Sequence, residues 1–203
     1  MELIEKIKRA YPKGLIDEPC EEAFVSSERD NRLQRALDLI SYQCTVDCCL
    51  DQFNKPRYHF ALTQKNHPSF DKWIWMMKNE EKILWIRKNN EPYPVFWLNI
   101  SRIADYYYFY YNHWVPRGDT GYLEADCKKQ PNGLWLGFEK IIRSNLEIDG
   151  FIYLTDDLAR EKTPYVLESD SDSIPDDDPR WDDLDFEPPL IASTIHRCLF
   201  GEC

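Results

Sequence analysis

Nine consecutive residues near the middle of the chain restrict its possible folds more than any other feature. From Tyr106 to Trp114 the sequence reads Tyr-Tyr-Tyr-Phe-Tyr-Tyr-Asn-His-Trp. Successive side chains of a β-strand point to opposite faces, so both faces of this strand would be aromatic. Strands that are covered on both faces read as continuous apolar runs, and the run therefore predicts a central, buried strand. A second interpretation leaves one aromatic face exposed as a platform for a partner.

Other segments predict further strands, because short apolar or alternating runs lie between turn residues. These runs lie at Tyr58–Thr63, Ile83–Arg87, Val95–Leu98, Tyr122–Ala125, Phe151–Leu154 and Tyr165–Leu167. Neighbouring strands with short connections are usually antiparallel.

Helices are predicted where apolar residues recur at helical spacing. The predicted helices lie at Leu3–Ala10, Asn31–Leu50, Pro68–Met77, Leu136–Glu147 and Asp156–Glu161. The second of them carries Cys44 and Cys48 on its apolar stripe. Together the elements predict an α+β fold in which a single antiparallel β-sheet packs against helices, within one domain spanning residues 1–203.

The charge of the chain is concentrated in one part, residues 168–187, which we call the acidic segment. It holds ten acidic residues against Arg180 alone, whereas the other 183 residues hold 26 acidic and 24 basic residues. Two prolines within it, two directly after it and the repulsion between carboxylates oppose helix and sheet, so the segment is expected to be an acidic, Pro-rich loop. The apolar residues between Pro188 and Phe200 predict that the chain then returns to the core.

A solvated linker is the simplest interpretation of such a segment, but it contains two aromatic side chains, Trp181 and Phe186, which a solubilising spacer does not need. A dense negative field accelerates association with a basic surface, and an aromatic side chain can then supply the dry contact that slows release. The predicted partner-binding residues are Asp176, Asp177, Asp178, Trp181, Asp182, Asp183, Asp185 and Phe186.

The segment Asp176–Asp183, the acidity, the aromatic content and the unpatterned cysteines resemble the immunity proteins that neutralise bacterial polymorphic toxins, including those of contact-dependent inhibition systems. The resemblance is one of overall character and includes no diagnostic motif. It implies a non-enzymatic protein that binds a cognate toxin. A basic, nuclease-like toxin domain is the expected partner, because an acidic strip can occupy a cleft built to hold phosphate.

The composition disfavours several other classes. No apolar run approaches the roughly 20 residues of a membrane span, and the charged start Met1–Ala10 does not fit a signal peptide. Seven irregularly spaced cysteines suit free thiols in a reducing compartment, so a cytoplasmic protein without a membrane partner is expected. Direct nucleic-acid binding is disfavoured because few cations cluster outside Lys8–Arg9 and Lys128–Lys129.

Metal and catalytic sites are weakly indicated. Four potential zinc ligands are Cys44, Cys48, His59 and His67, whose spacing departs from that of structural zinc sites. Residues that could serve hydrolysis are His113, Asp119, Glu124, Asp126 and Cys127. Because no nucleophile, phosphate-loop or dinucleotide motif accompanies them, no enzyme activity, metal or cofactor is expected.

Two alternative functions stay open. Ser169 and Ser173 each precede an aspartate by three residues, a pattern that acidophilic kinases recognise, so the chain could be a regulatory adaptor for a basic partner. The other alternative is a metal-dependent enzyme whose motif is not recognised.

Overall fold

The computed structural model describes residues 3–48, 55–64, 83–84, 87–88, 93–116, 123–126, 133–171, 174–175, 177–182 and 187–201. Its α-helices are α1 (Leu3–Ala10), α2 (Ser27–Ser41), α3 (Gly133–Ile148), α4 (Asp156–Arg160) and α5 (Ile195–Phe200). Its strands are β1 (Cys44–Cys48), β2 (Arg57–Gln64), β3 (Tyr93–Ser101), β4 (Tyr106–Pro116), β5 (Leu123–Asp126), β6 (Ile152–Tyr153), β7 (Lys162–Ser169) and β8 (Leu190–Thr194). Short 3-10 helices lie at Glu21–Phe24 and Pro179–Asp182.

The described strands form two sheets. In the main sheet the order is β1-β2-β3-β4-β5 with antiparallel neighbours, and the short β6 pairs with β4 in parallel. Strands β7 and β8 form a separate antiparallel pair. The predicted α+β class with mostly antiparallel pairing is therefore confirmed. The prediction of a single sheet was wrong, because β7 and β8 pair with each other and not with the main sheet.

Elements pack on both faces of the main sheet, as the aromatic run predicts. One hydrophobic cluster lies between the sheet and helices α2 and α3, and another lies among α1, α4, α5 and β7. The first cluster receives Tyr107, Phe109 and Tyr111 from β4, and the second receives Tyr106 and Tyr108. The core interpretation is confirmed for Tyr107, which is buried, whereas the other four are partly buried and pack against the clusters. The side chains of residues 112–114 lie outside the described part.

Helix α2 begins earlier and ends earlier than predicted. The hydroxyl of Ser26 accepts a hydrogen bond from the backbone N–H of Arg29 and caps the helix. The helix ends at Ser41, so its predicted continuation through Cys44 and Cys48 was wrong, and these residues belong to β1. The Cys44 thiol donates to the backbone carbonyl oxygen of Ile40 at 3.3 Å. Both residues belong to the hydrophobic cluster between α2 and the main sheet.

The other predicted elements have mixed outcomes. Residues 83–84 and 87–88 are helical, so the strand predicted at Ile83–Arg87 was wrong there. A short apolar run fits a buried helix as well as a strand, and periodicity alone does not separate them. The helix predicted at Pro68–Met77 lies outside the described residues. The remaining predicted helices and strands are confirmed within a few residues at each end.

The turn between β3 and β4 is held by Asp105. Its carboxylate lies 2.7 Å from Arg32 Nη2, 3.3 Å from Arg29 Nε and 3.4 Å from Lys6 Nζ. Burial by itself would raise the pKa of Asp105, but the three cations outweigh it and lower the pKa. Arg29 is 8% exposed and also donates to two backbone carbonyl oxygens of the turn. The cluster therefore fastens α1 and α2 to the β3–β4 hairpin.

Distant parts of the chain meet in the second cluster. The hydroxyl of Tyr11, just after α1, donates to the carbonyl oxygen of Cys198 in α5 at 2.7 Å. Both side chains are buried. Because a buried hydroxyl needs a partner, this bond fixes α1 and α5 relative to each other.

Candidate functional site

The acidic segment connects the two strands of the small sheet. Strand β7 ends at Ser169 and β8 begins at Leu190, and these two residues are partners in the ladder. Beyond them the N–H of Asp170 donates to the carbonyl oxygen of Pro189 at 2.8 Å. The two ends of the segment therefore lie side by side. Ile174, within the segment, is buried and gives it a further point of attachment.

The first acidic residue of the segment, Glu168, belongs to the interior of the small sheet. It is 5% exposed, and its Oε2 accepts a hydrogen bond from Ser193 Oγ at 2.9 Å. The same oxygen lies 2.9 Å from Arg197 Nε, and Lys162 Nζ lies 3.9 Å from the other oxygen. Cations of the chain itself thus compensate the charge of Glu168, which joins β7, β8 and α5 instead of facing a partner.

Asp178 is paired inside the segment. Its Oδ1 accepts hydrogen bonds from the backbone N–H and the Nε of Arg180, and its Oδ2 accepts one from Nη2, each at 2.9 Å. The hydrogen bonds from Arg180 lower the pKa of Asp178 to about 2. Arg180 is the only basic residue of the segment. A cation of a partner would therefore compete with Arg180 for Asp178.

The other predicted site residues are described only in part. Asp177 is exposed and forms no ion pair with any described residue. Trp181 and Asp182 have their backbone in the 3-10 helix Pro179–Asp182. Their side chains lie outside the described part of the chain, as do the whole residues Asp176, Asp183, Asp185 and Phe186. The structure thus brings Asp177, Asp178 and the backbone of two further predicted residues into one short turn.

Sequence reasoning missed a polar and aromatic group on the face of the main sheet that carries Tyr108. In the register, Asn99 of β3 lies between His59 and Tyr108, and Trp97 lies opposite Tyr110. His59 stacks on Trp97 with ring centroids 4.7 Å apart, and its Nδ1 is 2.5 Å from Asn99 Oδ1. Burial lowers the pKa of His59, which keeps the ring neutral at pH 7.

Two buried donors in this group have no acceptor among the residues that the structure describes. They are the Nδ2 of Asn99 and the Nε1 of Trp97, and both side chains are buried. Buried polar groups are nearly always hydrogen-bonded, and an unmade bond costs about 1–3 kcal/mol. An oxygen acceptor at either nitrogen would therefore be stabilising. The sequence holds no signal for this pair, because only the cross-strand register brings the two side chains beside His59.

A cavity of about 410 Å³ opens near this group. Its lining residues are Tyr108, Tyr110, Asp156, Ala159, Arg160, Thr194 and His196. The His196 ring meets Tyr108 edge-on with centroids 4.9 Å apart, and burial lowers its pKa. The volume lies within the range of small-ligand pockets. The cavity combines aromatic walls with one carboxylate and one guanidinium, both from α4.

The described residues show no metal centre and no membrane helix. No group of three or more His, Cys, Asp or Glu side chains among them is placed to hold a metal ion. No helix in the described ranges is both long and apolar enough to cross a bilayer. Of the potential zinc ligands, Cys44 is buried in the first cluster, and His67 lies outside the described residues.

Comparisons of the chain with protein-family models, with curated proteins and with solved structures find no match. The interpretation of function therefore depends on the geometry given above.

Proposed function

We propose that this chain is a cytoplasmic, non-enzymatic protein that binds a basic protein partner through its acidic segment, as an immunity protein binds its cognate toxin. The observation that carries the proposal is the attachment of the segment: a run rich in carboxylates leaves β7, returns as β8, and has its two ends hydrogen-bonded to each other. In this proposal the run is an acidic, Pro-rich loop presented to the partner.

Basic residues in and near the acidic segment form ion pairs with acidic residues of the chain itself. Arg180 is the only base of the segment and is held by Asp178, and Glu168 is compensated by Arg197 and Lys162. Eight further acidic residues lie in the segment, and Asp177 is among those that are exposed. A local field of this density raises the rate of encounter with a cationic surface by about 10- to 1,000-fold at low salt.

The attachment also favours affinity. A free acidic tail would lose much conformational entropy when a partner ordered it, whereas a loop with joined ends has fewer conformations to lose. The buried Ile174 restricts it further. If the partner is a nuclease-like toxin, the loop would compete with phosphate for the basic cleft and thereby inhibit it.

The proposal is tested on a partner captured with the tagged full chain, identified by mass spectrometry and then purified. Association is measured by surface plasmon resonance at 50 and 300 mM salt. The test variant combines D176N, D177S, D182N and D183S, and it leaves Asp178 in place because this residue organises the turn around Arg180. The matched control carries the same change in charge elsewhere and combines E21Q, E22Q, D157N and E161Q, all at exposed positions.

The expected result is an association rate at least tenfold lower for the test variant and nearly unchanged for the control. The rate of the unmodified chain should fall as salt rises, because screening weakens steering. Equal losses in both variants, or association that is indifferent to salt, would contradict the proposal.

A further inference from the structure

We infer that the basic partner adds an extended strand to the open edge of β8, beside the acidic segment. This inference rests on the proposed function and specifies how the partner is held. Strand β7 is covered on both sides: β8 pairs with one edge, and the other edge bonds to the segment around Gly14–Ile16. Strand β8 has a strand neighbour on one side only among the described residues.

The ladder shows which backbone groups of β8 point outward. In antiparallel pairs, hydrogen-bonded and non-bonded positions alternate. The N–H of Asp170 donates to the carbonyl of Pro189, so Ile191 is the next residue of β8 that bonds to β7. The N–H and C=O groups of Leu190 and Ala192 consequently face away from β7.

The partner of Ala192 in the ladder confirms this alternation. Leu167 lies opposite Ala192, and its backbone groups also point away from the pair. Its N–H donates to Gly14 O at 2.8 Å, and its C=O accepts from the N–H of Ile16 at 2.9 Å. On β8 the corresponding residues are Leu190, which is 54% exposed, and Ala192, which is partly exposed.

The sequence of β8 leaves this edge unprotected. Natural edge strands usually carry lysines, prolines or inward-pointing charges that prevent pairing with another chain. Residues 190–194 read Leu-Ile-Ala-Ser-Thr and contain none of these. Addition of a strand to such an edge is a common mode of peptide recognition, in which backbone hydrogen bonds supply affinity.

Charge complementarity indicates which kind of partner segment fits this edge of β8. The acidic segment ends at Glu187, which is exposed and lies three residues before β8. An added strand that runs antiparallel to β8 therefore has its C-terminal end toward Glu187. The partner segment that fits is a short β-forming stretch followed by lysines or arginines.

The probe for the test is a fluorescein-labelled peptide, Val-Thr-Val-Thr-Val-Lys-Lys-Lys-Lys, titrated with the full chain by fluorescence polarisation. A control peptide of equal charge carries an N-methyl group on each of its first five residues, which removes the donors of both edges of the strand. We expect the unmodified peptide to bind at least tenfold more tightly. Hydrogen exchange of the Leu190 and Ala192 amides should slow in its complex.

Two variants of the chain test the same edge. The A192P variant removes one outward N–H without removing a bond to β7, and proline is tolerated at such edge positions. It should weaken binding at least tenfold, whereas A192S keeps the N–H and should bind as the unmodified chain does. Circular dichroism verifies that A192P folds. If it does not fold, the N-methylated peptide and hydrogen exchange still decide the question.

The outcomes separate this inference from the proposed function. If the N-methylated peptide binds as tightly as the unmodified one, and only the acidic-segment variant binds weakly, strand addition is refuted and the electrostatic function stands. If strand addition occurs but the acidic-segment variant binds normally, the proposed function is refuted. If sedimentation shows a dimer that the peptide does not dissociate, the edge belongs to a second copy of the chain and the inference fails.

Discussion

The substitution D105N should destabilise the folded chain by about 2–3 kcal/mol. Removing one partner of a fully buried ion pair costs about 3–5 kcal/mol, and a surface pair contributes about 0–1 kcal/mol. The site lies between these limits, because the Asp105 side chain is 27% exposed and that of Arg29 is 10% exposed. Asparagine would leave Arg29, Arg32 and Lys6 together without a counter-charge. For a chain of this size the loss corresponds to a melting temperature lower by roughly 4–12 °C.

The free energy of unfolding is measured by urea titration with tryptophan fluorescence, at neutral pH and in acid. The pKa of Asp105 is lower in the folded chain than its ordinary value of 3.8. Its stabilisation is therefore complete above that value and is lost as the pH falls through the folded pKa. The difference between the unmodified chain and D105N should shrink below about pH 3.8. The control E18Q, in the exposed pair of Lys13 and Glu18, should change stability much less. Equal losses for D105N and E18Q, or a D105N difference that persists in acid, would refute the reasoning.

Four further predictions use other parts of the structure. E168Q should lower the free energy of unfolding by about 2–3 kcal/mol in urea titration, because it leaves a partly buried guanidinium without its carboxylate. Burial raises the pKa of Cys198 to about 12, so iodoacetamide at pH 8 should modify the partly exposed Cys20 and leave Cys198 unmodified until urea is added, as peptide mass spectrometry would show. G150A should destabilise by about 1–2 kcal/mol, since Gly150 has φ +82° and a Cβ there would lie 3.1 Å from a guanidinium nitrogen. Gly137 is at an exposed helical position, where an added Cβ would have no neighbouring atom within 4 Å. G137A should therefore raise the free energy of unfolding by about 0.5–1 kcal/mol, as thermal melts would show.

The parts of the fold that sequence reasoning predicted depend on local pattern. The buried positions Leu33, Ala36 and Ile40 of α2 follow the 3.6-residue repeat, and β4 alternates between two clusters. The incorrect predictions arise where contacts with residues distant in sequence determine the secondary structure. Cys44 and Cys48 are four residues apart and fit a helix, but pairing with β2 makes them a strand. The strand predicted at Phe151–Leu154 is present as β6, but its parallel pairing with β4 leaves no periodic signal in the sequence.

The candidate site was predictable only in its composition. The excess of carboxylates in residues 168–187 is visible in the sequence, and the spacing of Asp178 and Arg180 allows their pairing. The burial of Glu168 was not foreseen, because its cation partner Arg197 lies beyond β8. One edge of β8 has no strand neighbour among the described residues, and this depends on which strand pairs with which, a property of the tertiary structure alone.

The hydrogen bond from Tyr11 to Cys198 has a consequence for synthesis in the cell. Its two partners are 187 residues apart. The bond can therefore form only after most of the chain has been translated. At typical elongation rates this interval is roughly 10–40 s. During that time the hydroxyl of Tyr11, which is buried in the folded chain, lacks the acceptor that Cys198 supplies.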